Sequence, residues 1–150
     1  MASRIEQAVS YFEGGFNCAQ SVIAAYGPPL GLDEQNALRI ATGFGGGIGQ
    51  LGWTCGVVTG ATMVISLLFG RTRVEDRQIY EQAKQHVRDF VGKFIERNGD
   101  SSCSGLIGVD VCDPDARARA SRQGIFRSKC PGFVRDAAEI LEEMFPQLTA

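Results

Sequence analysis

Residues 40–70 read IATGFGGGIGQLGWTCGVVTGATMVISLLFG and carry no charged side chain, although Arg39 and Arg71 border them directly. A stretch of this length can span a bilayer as a helix. Its first half, however, is a glycine-rich loop, and only residues 53–69 are predominantly apolar, which is a marginal length for a span. We therefore expect this stretch to supply a buried central helix, with no membrane insertion.

The composition is that of a single globular domain. The chain has 150 residues, of which 44% are hydrophobic and 21% are charged, so it can bury a core and we expect one domain over residues 1–150. A formal net charge of -2 argues against nucleic acid as a partner. Residues 1–6 lack the apolar run of a secretory signal, which favours a cytoplasmic protein whose five cysteines are reduced.

Helical periodicity and helix start signals recur along the rest of the chain, and no run alternates between apolar and polar residues as a strand would. The sequence therefore predicts an all-α fold, a single-domain bundle of about six to seven helices with a buried glycine-rich central helix. The predicted helix starts are Ser3 with Glu6, Asn17, Asp33, Thr72 with Glu75, Asp113-Pro114 and Cys130-Pro131.

Three glycines of the central stretch, Gly52, Gly56 and Gly60, recur every four residues and so share one face of a helix. Such a strip lets another backbone approach closely. Because the strip is also uncharged, it is a candidate inter-subunit surface, and we expect a homodimer.

Four of the five cysteines fall near predicted helix starts. Cys18 follows Asn17, Cys55 lies about one turn into the central helix, Cys103 follows Ser101-Ser102, and Cys130 precedes Pro131. Unpaired N–H groups and the helix dipole stabilise a thiolate at such positions, so we expect pKa values below the usual ~8.5. Cys112 lies outside a predicted helix, and we expect it to be incidental.

Low-pKa thiols serve three chemistries. Thiol–disulfide exchange needs two sulfurs within bonding reach, whatever their separation in sequence. A zinc or iron–sulfur site needs three or four converging thiolates, and its usual Cys-x-x-Cys chelate is absent here. A lone cysteine nucleophile would have only His86 as its base, which makes this the weakest candidate. Any single cysteine is equally well explained as a small buried hydrophobe.

The glycine loop before Cys55 invites comparison with phosphate-binding loops. It lacks the Gly-Lys-Ser/Thr ending of a P-loop and follows a predicted helix rather than a strand, so neither nucleotide-binding fingerprint is satisfied. We expect the loop instead to let the backbone wrap closely around Cys55.

With these motifs assembled, the sequence resembles the C-GCAxxG-C-C family of redox-active proteins. The resemblance rests on FNCAQSV at 16–22, GGGIG at 45–49 with CGVVTGA at 55–61, CSGLIG at 103–108 and CPGFV at 130–134. Val57 stands where the family usually has alanine. The resemblance implies that the signature cysteines are Cys18, Cys55, Cys103 and Cys130, whereas Cys112 is not among them.

These observations predict a cytoplasmic redox-active protein in which Cys18, Cys55, Cys103 and Cys130 converge for thiol–disulfide exchange or electron transfer, as in a thiol oxidoreductase. Its partner would be a redox protein or a small thiol or disulfide. One alternative is a non-catalytic module in which the same cysteines ligate zinc or an iron–sulfur cluster. Another is a helical accessory or interaction domain associated with a transporter, with the cysteines as core filler.

Overall fold

The structure, a computed structural model, describes residues 2–149, and these residues form eight α-helices with no β-strand. The all-α prediction is confirmed, with one helix more than the expected six to seven. No helix within this range is long and apolar enough to cross a membrane. The helices are α1 (Ile5–Glu13), α2 (Cys18–Tyr26), α3 (Glu34–Ile40), α4 (Gly56–Phe69), α5 (Arg77–Asn98), α6 (Cys103–Ile107), α7 (Pro114–Arg122) and α8 (Ile125–Met144), with short 3-10 turns at Pro28–Leu30, Thr42–Phe44 and Pro146–Leu148.

The predicted central helix is α4, which packs against α2, α5 and α8. Its Val57, Ala61, Val64 and Ile65 are completely buried. Because apolar surface gains free energy when it leaves water, the charge-free sequence of α4 favours this central position. The core of the bundle therefore forms around the stretch that looked like a candidate membrane span.

Polar caps fix the starts of the helices that carry the first and third signature cysteines. Asn17 Oδ1 accepts a hydrogen bond from the Gln20 N–H at 2.8 Å, and Gln20 Oε1 accepts one from the Asn17 N–H at 3.0 Å. This reciprocal pair is a capping box. At α6, Ser102 Oγ accepts from the Gly105 N–H at 3.0 Å. Cys18 and Cys103 are consequently the first residues of their helices.

Two predicted capping boxes are not formed. The N-cap of α1 is Arg4, which makes no side-chain cap. Ser3 lies one residue earlier, where its Oγ accepts from the Ile5 N–H at 3.4 Å and donates to Glu142 Oε1 of α8 at 3.2 Å. The N-cap of α5 is Asp76, well after Thr72, and it makes no side-chain cap. The predicted caps at Asp33 and Asp113 are present.

The predicted helix start at Cys130-Pro131 is wrong. Helix α8 begins at Ile125 after Gly124, whose φ is 73°, and Pro131 lies inside it. An internal proline removes one helical hydrogen bond. Burial of Cys130 favours retaining the preceding turn, as does Lys129, whose Nζ donates to the Ile107 carbonyl at 3.4 Å.

The loop before α4 contains a left-handed turn. Residues 46–50 all have positive φ, and two of them, Ile48 at 64° and Gln50 at 63°, are not glycine. This conformation costs roughly 1–2 kcal/mol for each non-glycine residue. Hydrogen bonds from the Gly52 N–H to the Gly46 carbonyl and from the Trp53 N–H to the Gly47 carbonyl, both 3.0 Å, hold the turn closed.

The glycine strip is used inside the fold. A Cβ at Gly60 would lie 2.9 Å from the Ala19 carbonyl oxygen and 3.0 Å from Val22 Cβ, so this face of α4 packs directly on α2. Gly52 precedes the helix and does not belong to the strip. Gly56 and Gly60 are therefore unavailable as an inter-subunit surface, and the homodimer stays a prediction without that support.

Gly60→Ala should destabilise the protein by about 1–3 kcal/mol, because the new methyl group would crowd the α2 backbone. The measurement is urea unfolding followed by circular dichroism. Gly92→Ala is the matched control: Gly92 is an exposed position of α5 with open space around it, and this change should stabilise by roughly 0.5–1 kcal/mol. Equal effects of the two substitutions would contradict the packing.

Candidate thiol site

The starts of α2 and α4 lie against each other and carry the first two signature cysteines. Cys18 opens α2, and Cys55 is the N-cap of α4. A Cβ at Gly56 would lie 3.0 Å from Cys18 Cβ and 2.9 Å from the Ala19 nitrogen. Only glycine fits this approach, which places Cys55 beside Cys18. Cys55 thus precedes α4, rather than lying one turn into it as predicted.

A short antiparallel backbone pairing brings the third cysteine to the same place. The Cys55 N–H donates to the Ser101 carbonyl at 2.8 Å, and the Cys103 N–H donates to the Trp53 carbonyl at 2.5 Å. A Cβ at Gly47 would lie 2.8 Å from Cys103 Cβ, so the left-handed turn also closes directly over this cysteine. The glycine loop therefore wraps around the Cys55 and Cys103 segments, much as the sequence predicted for Cys55.

The fourth cysteine reaches the site from α8. Cys130 is buried in a small apolar cluster with Cys103, Ile107 and Val111. Cys18 is partly buried and packs against this cluster and also against the main core, which contains Cys55. Cys18 thus contacts both groups of buried residues that hold the other three cysteines.

Three of the four signature cysteines line a cavity of about 440 Å³ between the end of α1, the start of α2, the glycine loop, α7 and the first half of α8. They are Cys18, Cys103 and Cys130, whereas Cys55 is buried behind them with 4% of its surface exposed. The remaining lining residues are Phe12, Asn17, Gly46, Gln50, Val111, Pro114, Arg117, Ala118, Ser121 and Phe126.

Hydrogen bonding between the thiols shifts the pKa values of Cys18 and Cys55 in opposite directions. The pKa of Cys18 is raised well above its usual range, first by hydrogen bonding to Cys130 and then to Cys55, with burial adding to the effect. The pKa of Cys55 is lowered, chiefly by its hydrogen bond from Cys18, and the backbone N–H groups of Val57 and Val58 at the start of α4 help. In the reduced protein Cys55 is therefore the acceptor and Cys18 the proton donor.

The prediction that helix-start cysteines have low pKa values holds for Cys55 and is wrong for Cys18 and Cys103. Burial raises the pKa of Cys103 to about 12, and the charges of Cys55 and Cys130 add to the increase. Neighbouring thiolates repel one another, so once one has formed the others are held as thiols. At these two residues this repulsion and desolvation outweigh the helix dipole.

Cys130 does not share the helix-start environment predicted for it, because it is the sixth residue of α8. Cys112 lies between α6 and α7 and is exposed, away from the cavity lining, in line with its predicted exclusion from the site. The His86 ring packs against Phe69 and Phe145 on another side of the bundle.

All five cysteines are free thiols. Among residues 2–149, no three His, Cys, Asp or Glu side chains are grouped so that they could hold a metal ion. Ligation of zinc or an iron–sulfur cluster by Cys18, Cys55, Cys103 and Cys130 therefore stays a prediction.

Comparison with protein families matches residues 16–144 to the family described as "Putative redox-active protein (C_GCAxxG_C_C)". The chain belongs to this family. An uncharacterised protein from Archaeoglobus fulgidus is 28% identical over 131 residues, which cover 83% of this chain and 81% of the relative. No solved structure matches the chain. The matched range contains every signature cysteine, so the family assignment and the thiol site coincide.

Several cavity residues carried no signal in the sequence. Arg117 is one of several arginines in the C-terminal third that the sequence does not distinguish, Phe12 is an ordinary apolar position of the first predicted helix, and Phe126 precedes the predicted helix start at Cys130-Pro131. Their common role depends on how α1, α7 and α8 pack, which helical periodicity does not specify.

Stability should fall as pH rises above about 8.5. The unfolded Cys103 thiol releases its proton near that pH, whereas the folded one holds it until a pKa of about 12, so alkali favours the unfolded chain. Unfolding in urea with a reductant present, measured across this pH range, should show a shallower decline for Cys103→Ala than for the parent protein. Cys112→Ala, at the exposed cysteine, should keep the parent slope; an equal change in both variants would contradict the assignment.

Proposed function

We propose that this protein is a thiol–disulfide oxidoreductase in which Cys18 exchanges with the substrate and Cys55 completes the reaction. The observation that supports it best is the position of Cys18, which lines the cavity and packs against both the main core, which contains Cys55, and the apolar cluster that contains Cys103 and Cys130. A residue with this position can meet a substrate on one side and a second thiol on the other. The family description supports redox chemistry in general.

The first step forms a mixed disulfide. At rest Cys55 is the thiolate and Cys18 keeps its proton, because the pKa of Cys55 is lowered and that of Cys18 is raised. A small fraction of the Cys18 protons moves to the Cys55 thiolate, and the Cys18 thiolate so formed, the more nucleophilic of the two because its pKa is higher, attacks one sulfur of the substrate disulfide. The substrate S–S bond breaks, and the departing thiolate takes up the proton held by Cys55. Cys55 is then a thiolate again, next to a new Cys18–substrate disulfide.

The second step releases the other half of the substrate. The Cys55 thiolate attacks the Cys18 sulfur, and the second substrate thiolate leaves and takes a proton from water. The substrate has gained two electrons and become two thiols, while Cys18 and Cys55 have become one disulfide. Cys130 belongs to the apolar cluster against which Cys18 packs and is the second thiol to which Cys18 can transfer the oxidation. Cys103 takes no part in these steps, because burial raises its pKa to about 12 and so keeps it a thiol.

Mild oxidation should therefore join Cys18 to Cys55. Treatment of the reduced protein with diamide, followed by alkylation, digestion and mass spectrometry, should identify this disulfide in the parent and in the Cys112→Ser control. Cys18→Ser should form no Cys55 disulfide, because its partner is gone. Recovery of every thiol in the reduced form, or the same oxidation yield after Cys18→Ser, would contradict the proposal.

Removing the second thiol should trap the first step. In the double variant Cys55→Ala/Cys130→Ala neither partner of Cys18 remains. A symmetrical disulfide substrate should then leave a stable adduct of half its mass on Cys18, formed more slowly than in the parent because the Cys55 base is gone. Intact-protein mass spectrometry measures this adduct. In the parent the adduct should be short-lived, and an adduct of equal lifetime in both proteins would show that Cys55 and Cys130 do not resolve it.

A further inference from the structure

We infer that the substrate of this thiol site is a small organic disulfide bearing a carboxylate, which Arg117 binds within the cavity. This inference rests on the proposed function and adds the substrate class to it. The cavity, at about 440 Å³, falls in the size range of small-molecule sites. Its walls consist of apolar side chains, thiols and a few polar groups, and each kind of group restricts which ligand the cavity can bind.

Arg117 is the charged residue among those that line the cavity. One face of α7 supplies it, together with Pro114, Ala118 and Ser121, at the three- and four-residue spacing of a helical stripe. Its Nη1 donates to the Val111 carbonyl at 2.9 Å, which anchors the guanidinium at the cavity wall. A guanidinium has five N–H donors, so this bond leaves several for a ligand.

The charge of Arg117 is available to a ligand. Within residues 2–149, no carboxylate forms an ion pair with it. The nearby Asp113 carboxylate is occupied as the cap of α7, where it accepts from the Asp115 and Ala116 N–H groups. A partly buried, uncompensated guanidinium next to thiols favours a ligand that brings its own negative charge, and a carboxylate matches its geometry in two parallel hydrogen bonds.

The apolar wall requires an organic group beside that carboxylate. Phe12 and Phe126 line the cavity and pack against the cluster that contains Cys103 and Cys130. Inorganic anions would leave this aromatic surface without a partner. A carboxylate on Arg117, an organic body against the phenylalanines and a sulfur at Cys18 together describe half of a small carboxylated disulfide.

Two aromatic disulfides that differ in charge test this inference. 5,5′-Dithiobis(2-nitrobenzoate) carries a carboxylate on each ring, whereas 2,2′-dithiodipyridine is uncharged, and each releases a thiol that is followed by its absorbance. All proteins carry Cys112→Ser, so that the exposed thiol adds no colour. Arg117→Gln should slow the reaction with the carboxylated probe about tenfold, the loss expected for a charged hydrogen bond, and leave the neutral probe unchanged.

Two further variants keep the result interpretable. Arg119→Gln removes an exposed arginine of the same helix that does not line the cavity, so both probes should react as in the parent. Arg117→Lys keeps the charge and should retain part of the preference for the carboxylated probe. Equal slowing of both probes by Arg117→Gln, or no slowing of either, would overturn the inference.

Failure of the inference and failure of the proposed function give different results. If Arg117 does not select the carboxylate but both probes still convert Cys18 and Cys55 to a disulfide, the substrate class is wrong and the oxidoreductase proposal survives. If neither probe produces that disulfide in the parent, the oxidoreductase proposal fails, and the assignment of the substrate fails with it. Mass-spectrometric mapping of the disulfide after each reaction separates the two cases.

Discussion

The close approach of α2 and α4 is the constraint on which the thiol site depends. Gly56 and Gly60 let the two backbones come so near that any Cβ on this face would meet Ala19 or Cys18. The same approach buries α4 at the centre of the bundle and sets Cys55 beside Cys18. The same packing contact therefore stabilises the core and positions the thiols. Both depend on the CGVVTG stretch at residues 55–60.

Because the thiols lie close together, their pKa values shift in different directions. Closely packed thiolates cannot all be charged, because each like charge raises the cost of the next. Cys55 combines the backbone N–H groups of α4 with a thiol donor, and its pKa falls. Cys18 and Cys103 lie at the first position of their helices but face neighbouring thiols and apolar side chains, and their pKa values rise. These opposite shifts keep the proton on Cys18 and the negative charge on Cys55 in the resting reduced protein.

The sequence predicted much of the local structure and less of the site. Asn17 and Asp113 could be predicted as helix caps because capping depends on residues only two or three positions apart. Cys130 was misplaced, because its burial against α6 outweighs the hydrogen bond that Pro131 removes, and only tertiary packing determines that balance. The position of Arg117 could not be predicted for the same reason. It lines the cavity because α7 packs beside the thiols, and no short-range sequence pattern marks that contact.

The packing of α2 on α4 makes Cys55 the thiol that ionises first, because Cys18 donates a hydrogen bond to the Cys55 thiolate. Titration of thiolate ultraviolet absorbance against pH measures this directly in the reduced protein. The account predicts one thiolate that forms below the usual range of a cysteine pKa, disappears in Cys55→Ser, persists in Cys112→Ser and forms at higher pH in Cys18→Ala. A low-pH thiolate that survives Cys55→Ser unchanged would contradict the account.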